Sequence, residues 1–124
     1  MNLNRGAEFL KAFMLGFELN DCISMLRMDD IYLETFEVHD VKRLHGQHMS
    51  RAIAWIAGEK GKTKNSIENT THTRIVVADS KIHLMGSFGN IKLARNVISN
   101  LILGSPASKI FQQLKYISQK KMDL

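Results

Sequence analysis

The chain holds one cysteine, one proline and one tryptophan in 124 residues. A lone cysteine, Cys22, excludes an internal disulfide, which fits a reducing compartment such as cytosol or nucleus. Its surroundings suit a small buried side chain better than a nucleophile. No apolar run approaches the roughly 20 residues that span a bilayer, so no membrane partner is expected. The opening Met1-Asn2-Leu3-Asn4-Arg5-Gly6 lacks the apolar stretch and cleavage site of a signal peptide. Internal repeats and low-complexity tracts are absent too.

Catalytic and metal signals are just as sparse. Asp29, Asp30, Glu34 and Glu37 are the nearest approach to a two-metal nuclease site. They are more simply a helix end and the solvent side of a strand, where Glu34 and Glu37 would point to opposite faces. His39, His45 and His48 share a loop region but match no zinc spacing, and no cysteine or paired acid completes a tetrahedron. His72 and His83 read as helix-end and strand-face residues. The expectation is therefore no enzyme, no metal and no cofactor.

Hydrophobic residues make up 44% and charged residues 23%, the balance of a globular domain with at most one appendage. The formal net charge is +5. Its distribution says more than its size. Lys42, Arg43, Arg51, Lys60, Lys62 and Lys64 fall in a segment whose only acid is Glu59. That local excess suits a polyanion site, although a solvated helix face has the same look.

Phe9, Phe13 and Phe17 recur at helical spacing over residues 7–17 and form a packing face, with its partner either in this chain or outside it. Asn20 or Asp21 would cap a short second helix carrying Ile23 and Leu26. Residues 31–38 alternate as a strand, and residues 39–46 read as a loop. Met49, Ala52, Ile53 and Ile56 mark a helix over 47–57, which Gly58 stops. A further helix over 62–70 is anchored by Ile67. Residues 73–78 and 81–86 are strands whose link, Asp79-Ser80, forces an antiparallel hairpin. Ser87 caps a helix over 88–103 with Ile91, Ala94, Ile98 and Leu101 on one stripe; Lys92 and Arg95 fall off that stripe and read as solvated. Pro106 opens a last helix with Ile110, Leu114 and Ile117 inward.

The result is an α+β chain with its helices on one face of a small antiparallel sheet. The order strand, helix, Gly58-Glu59-Lys60-Gly61, helix, hairpin, helix resembles a type I KH domain: a three-stranded antiparallel sheet packed against three helices. Helices before and after it are extra. Without Cβ atoms, Gly58 and Gly61 let the backbone take positive φ and approach a phosphate. The helix that follows turns its positive end to that phosphate. Lys60, Lys62 and Lys64 add charge without reading sequence. The expected RNA groove lies between the glycine loop with its following helix and the strand over 73–78; Arg74 begins that strand beside the groove, and Arg51, on the helix before the loop, either reaches phosphate or is solvated. Trp55, one residue off the apolar stripe, is placed either to stack on a base or to meet a protein neighbour.

The likeness is closer than fold. The run Ser50-Arg51-Ala52-Ile53-Ala54-Trp55-Ile56-Ala57-Gly58-Glu59-Lys60-Gly61-Lys62-Thr63-Lys64 resembles the second KH domain of the "partner of the site-D endonuclease" family. So do Ile67-Glu68-Asn69, Thr73-Arg74-Ile75-Val76, Gly86-Ser87-Phe88, Asn90-Ile91-Lys92 and Asn100-Leu101-Ile102-Leu103-Gly104-Ser105-Pro106. Upstream, Arg5-Gly6-Ala7-Glu8-Phe9 and Lys11-Ala12-Phe13 fit as well. The resemblance implies a non-catalytic ribosome-assembly factor. Such a factor binds precursor ribosomal RNA near the 3′ end of the small-subunit RNA and assists the endonuclease that makes the final cut. Its partners would be that RNA, the site-D endonuclease and small-subunit ribosomal proteins. Its place would be nucleolus or nucleus and cytoplasm, or cytoplasm in an archaeon. The rival reading is a protein-interaction scaffold on Phe9, Phe13, Phe17, Trp55 and the last helix.

Three features depart from the family pattern. The family pattern places a KH-like domain before this one, and residues 5–27 would correspond to its last helices, so the expected division is 1–28 remnant, 29–104 KH domain and 105–124 C-terminal helix and tail. The loop holds Glu59-Lys60 where relatives tend to carry a basic residue and a glycine. Lys64 stands where KH domains at large have an aliphatic residue.

Overall fold

The computed structural model describes residues 3–122. Helices α1 (Leu3–Leu15) and α2 (Leu19–Arg27) precede strand β1 (Tyr32–Glu37) and a helical turn, α3 (Val38–Val41). Then come α4 (Gln47–Ala57), α5 (Lys62–Thr71), β2 (Arg74–Ala78), β3 (Lys81–Gly86), α6 (Phe88–Ile102) and α7 (Ala107–Met122). The sheet order is β1-β3-β2, antiparallel throughout. Leu33 faces Met85 and Phe36 faces Ile82 on one side of β3; Ile75 faces Leu84 on the other. This is the α+β KH architecture that the element order implies.

Strand periodicity decides which residues meet which layer. Phe36, Ile75, Ile82 and Leu84 point into a core shared with Ile56, Ile67, Ile91, Ile98 and Leu101. Ile110, Leu114 and Ile117 of α7 enter that same core. Ser87 caps α6 by accepting from the Asn90 N–H at 3.3 Å.

The opposite face of the sheet is covered as well, which corrects the expectation of helices on one face. Leu33, Val76 and Met85 pack with Ala12, Cys22 and Met25 of the N-terminal helical pair and with Phe17 of the link between them. Phe17 is buried, so its partner is this chain's own sheet. Covering both faces explains why β3, which reads as half-polar, is buried from Ile82 to Gly86. His83 is buried there with its Nδ1 2.7 Å from the Thr35 hydroxyl.

Three local details also differ from the sequence reading. The first residue of α2 is Leu19, and its buried stripe is Cys22 and Met25 instead of Ile23 and Leu26. Residues 38–41 form a helical turn, where the Asp40 carboxylate accepts from the Glu37 N–H at 3.1 Å. Arg95 pairs with Glu34 and lies over the Phe36 ring, 4.9 Å from its centroid, so it ties α6 to β1.

Candidate nucleic-acid interface

The site begins with the end of α4. Ala52 and Ile56 are fully buried and fix the helix against the core. Gly58 then turns the chain with φ +73° and ψ +176°. Its N–H still donates to the Ala54 carbonyl at 2.8 Å, so the helix closes tightly. Residues 59–61 make one 3-10 turn in which Lys60 (φ +55°) and Gly61 (φ +73°) are both left-handed. Left-handed backbone is easy for glycine and costs an L-residue about 1–2 kcal/mol. Lys60 bears that strain.

The turn rests on α5. A Cβ placed on Gly58 would come within 2.2 Å of the Thr63 hydroxyl oxygen and 2.8 Å of the Thr63 backbone nitrogen. Only glycine fits there. The contact pulls the turn onto the first residues of α5, whose N–H groups and dipole form the positive end of that helix. Lys60 and Lys62 are exposed around it, and Glu59 is exposed beside them.

The eight residues picked out as RNA contacts separate into different places. Gly58, Glu59, Lys60, Gly61 and Lys62 are together in and after the turn. Arg51 is exposed on α4, more than one helical turn before Gly58. Lys64 and Arg74 lie in a separate cleft between α5 and β2. There Lys64 pairs with Glu68 at 3.9 Å, and Arg74 pairs with Asp21 at 3.3 Å. The Glu68 carboxylate also accepts the Ile75 N–H at 2.9 Å, binding the β2 edge to α5.

That cleft is small, about 290 Å³, and the α1–α2 junction fills its far side with Gly16, Phe17, Glu18 and Asp21. Its carboxylates, Glu18, Asp21 and Glu68, outnumber its cations, Lys64 and Arg74. The other flank of the glycine turn is different. A cleft of about 580 Å³ runs between the end of α4, the turn and the α6–α7 junction. Gly58, Glu59 and Lys62 form its rim beside Trp55, Leu101, Pro106 and Phe111.

Asp21 and Phe111 were missed by sequence reasoning. The Lys64–Glu68 pair was open to the i, i+4 rule. No local signal linked Asp21 to Arg74, because only the fold of α2 over the sheet joins them.

Among the described residues no group of three histidine, cysteine or acidic side chains is close enough to hold a metal ion. His39 and His45 do approach, with ring centroids 5.9 Å apart. Burial, and then the Asp21 charge, push the Cys22 thiol above its ordinary pKa, the reverse of an activated nucleophile. None of the described helices is long and apolar enough to cross a membrane.

Comparison with known proteins agrees with the fold. Residues 35–119 match the PNO1 second-domain profile of the eukaryotic type KH domain, KH-domain type I. Pre-rRNA-processing protein PNO1 of Eremothecium gossypii is 58% identical over 118 residues, 95% of this chain and 44% of that protein. RNA-binding protein pno1 of Drosophila pseudoobscura pseudoobscura is 56% identical over 119 residues, 96% of this chain and 50% of that protein. The chain thus spans about half the length of the curated relatives it matches. Among solved structures, a protein of unknown function from Aeropyrum pernix superposes with a TM-score of 0.85 at 26% identity, over 98% of this chain and 64% of that one. A chain from an a/eIF2alpha-aDim2p-rRNA complex of Pyrococcus horikoshii reaches 0.80 at 24% identity, over 97% of this chain and 63% of that one, a likeness of fold.

Proposed function

Since this chain belongs to the PNO1 group of eukaryotic type I KH domains, we propose that it is a single-stranded RNA-binding factor of ribosome biogenesis. Its target is precursor ribosomal RNA near the 3′ end of the small-subunit RNA, and it assists the final endonucleolytic cut without making it. The observation that carries this reading is the 58–61 turn: left-handed backbone seated on α5, with Lys60 and Lys62 exposed at the rim. Such a turn brings main chain, helix N-terminus and cations to one phosphate stretch. The names of the relatives, a pre-rRNA-processing protein and an RNA-binding protein, point the same way. Its working partners are then the site-D endonuclease and small-subunit ribosomal proteins, in nucleolus or nucleus and cytoplasm.

A second reading, a protein-interaction scaffold, draws on a specific feature. Leu10, Phe13 and Met14 are exposed together on α1, away from the sheet. An assembly factor has use for both surfaces.

The test is fluorescence anisotropy with a labelled single strand from the 3′ end of the small-subunit RNA. The wild-type chain is compared with the double variant Glu59→Asp, Lys60→Asp, with circular dichroism as the folding check. Binding by wild type and loss in the folded variant supports the clamp. Equal binding by both moves the RNA off the turn. Binding by neither leaves the scaffold.

A further inference from the structure

The cleft on the α7 flank shares Gly58, Glu59 and Lys62 with the glycine turn, but its Trp55 and Phe111 side has no part in the phosphate clamp. We infer that it is a nucleobase subsite: one base of the strand held by the turn leaves the stack and inserts beside Trp55 and Phe111, with Glu59 reading its edge. The inference rests on the RNA-binding reading and names where that RNA puts a base.

Four observations carry it. First, the cleft is continuous with the turn, since Gly58, Glu59 and Lys62 line both. A strand whose phosphate sits on the turn has its neighbouring base within reach. Second, the lining is of the kind that holds bases. Trp55 is 49% exposed and Phe111 38% exposed, from two different helices, and Leu101 and Pro106 complete an apolar floor. Aromatic faces exposed in a cleft beside cations are the recurrent platform for unpaired bases. Third, the volume of about 580 Å³ leaves room for a base with its sugar. Fourth, the cleft between α5 and β2 is half that size and acid-rich, with its cations already held by Asp21 and Glu68. A polyanion gains less there.

Glu59 gains a role in this arrangement. A carboxylate in the phosphate loop repels phosphate, but ionised it is an acceptor only. Turned to the cleft, it accepts from the exocyclic amine of adenine or cytosine, where uracil offers a carbonyl oxygen instead. The subsite should therefore prefer adenine and cytosine over uracil.

Trp55 is the only tryptophan in the chain, so its emission reports on the cleft alone. The experiment titrates labelled nine-nucleotide oligo(A), oligo(C) and oligo(U) RNA into the full chain. Anisotropy and tryptophan emission are followed together. Tryptophan quenching in step with anisotropy is expected. Trp55→Ala and Phe111→Ala should each weaken binding about ten-fold to a hundred-fold, with circular dichroism unchanged because both side chains are at the surface. Glu59→Gln should narrow the gap between oligo(C) and oligo(U). A different pattern overturns the subsite while sparing the RNA-binding reading: anisotropy change without quenching, lost in the Glu59→Asp, Lys60→Asp variant yet indifferent to Trp55→Ala and Phe111→Ala. No anisotropy change with any RNA overturns both readings, and the cleft is then a surface for protein.

Discussion

Gly58 lies directly against Thr63, so close that a methyl group on Gly58 would occupy the space of the Thr63 hydroxyl. Thr63 is 7% exposed and belongs to the first turn of α5, so it has nowhere to retreat. Gly58→Ala is expected to lower stability by about 2 kcal/mol or more, from positive φ and overlap combined. Thr63→Ala should restore only part of that, since the Thr63 backbone nitrogen is also within 2.8 Å of the added carbon. Urea denaturation of both single variants and the double variant measures this. A neutral Gly58→Ala would mean that the turn adopts another shape.

Lys60 separates charge from backbone strain. Its φ of +55° is one that glycine takes freely. Lys60→Gly should leave stability unchanged or raise it by up to about 1 kcal/mol, the left-handed relief being partly offset by chain entropy. RNA affinity should fall in the same variant, and the salt slope should flatten by about 0.7 log units for the lost phosphate contact. Thermal melts and anisotropy at several salt concentrations read the two effects separately. A large loss of stability would contradict the strain argument.

The Arg74–Asp21 pair, 3.3 Å apart, occupies a cation that the basic surface would otherwise offer to phosphate. Asp21→Asn is expected to strengthen RNA binding a few-fold at low salt and to steepen its salt dependence. The pair is partly exposed, so the stability cost should stay below about 1 kcal/mol. Unchanged affinity would place Arg74 outside the RNA path.

Arg95 holds Glu34 and covers Phe36, with 43% of its own side chain exposed. Arg95→Ala should cost about 1 kcal/mol, and Glu34→Gln less, because the stacking on Phe36 survives the second change. Chemical denaturation of the two variants gives the order. The reverse order would give the ion pair the larger share.

His83 makes stability fall toward acid. Its burial, and then the charges of Lys81 and Lys11, push its pKa below the ordinary 6.5. The folded state therefore favours the neutral ring, while the unfolded chain takes up a proton first. This contribution is complete above about pH 6.5, decreases as pH falls below it, and levels off below the folded-state pKa. Urea midpoints from pH 8 to pH 5 should drop more for wild type than for His83→Gln, whose amide can still meet the Thr35 hydroxyl. Parallel curves would remove His83 as the titrating group.

Local pattern was enough for much of this molecule. The spacing of Met49, Ala52, Ile53 and Ile56 marks α4, with Gly58 at its end, because a helical period and a glycine stop are properties of adjacent residues. Ser87 as a cap, the two-residue link before β3 and the inward stripe of α7 are local for the same reason. From those elements alone the order of a type I KH domain follows, with the glycine turn between two helices. What depended on distant partners was not legible. Phe9, Phe13 and Phe17 share a helical spacing, yet Phe17 is buried on the sheet and Phe13 is 52% exposed. The second sheet layer decided that, by covering a face of β3 that its own polar residues leave open. Arg95 became a strut and Arg74 a paired cation only once β1 and α2 came alongside. Charge and periodicity belong to the sequence; which charges are cancelled, and which aromatic faces stay open beside the turn, is settled when helices far apart in the chain meet in space.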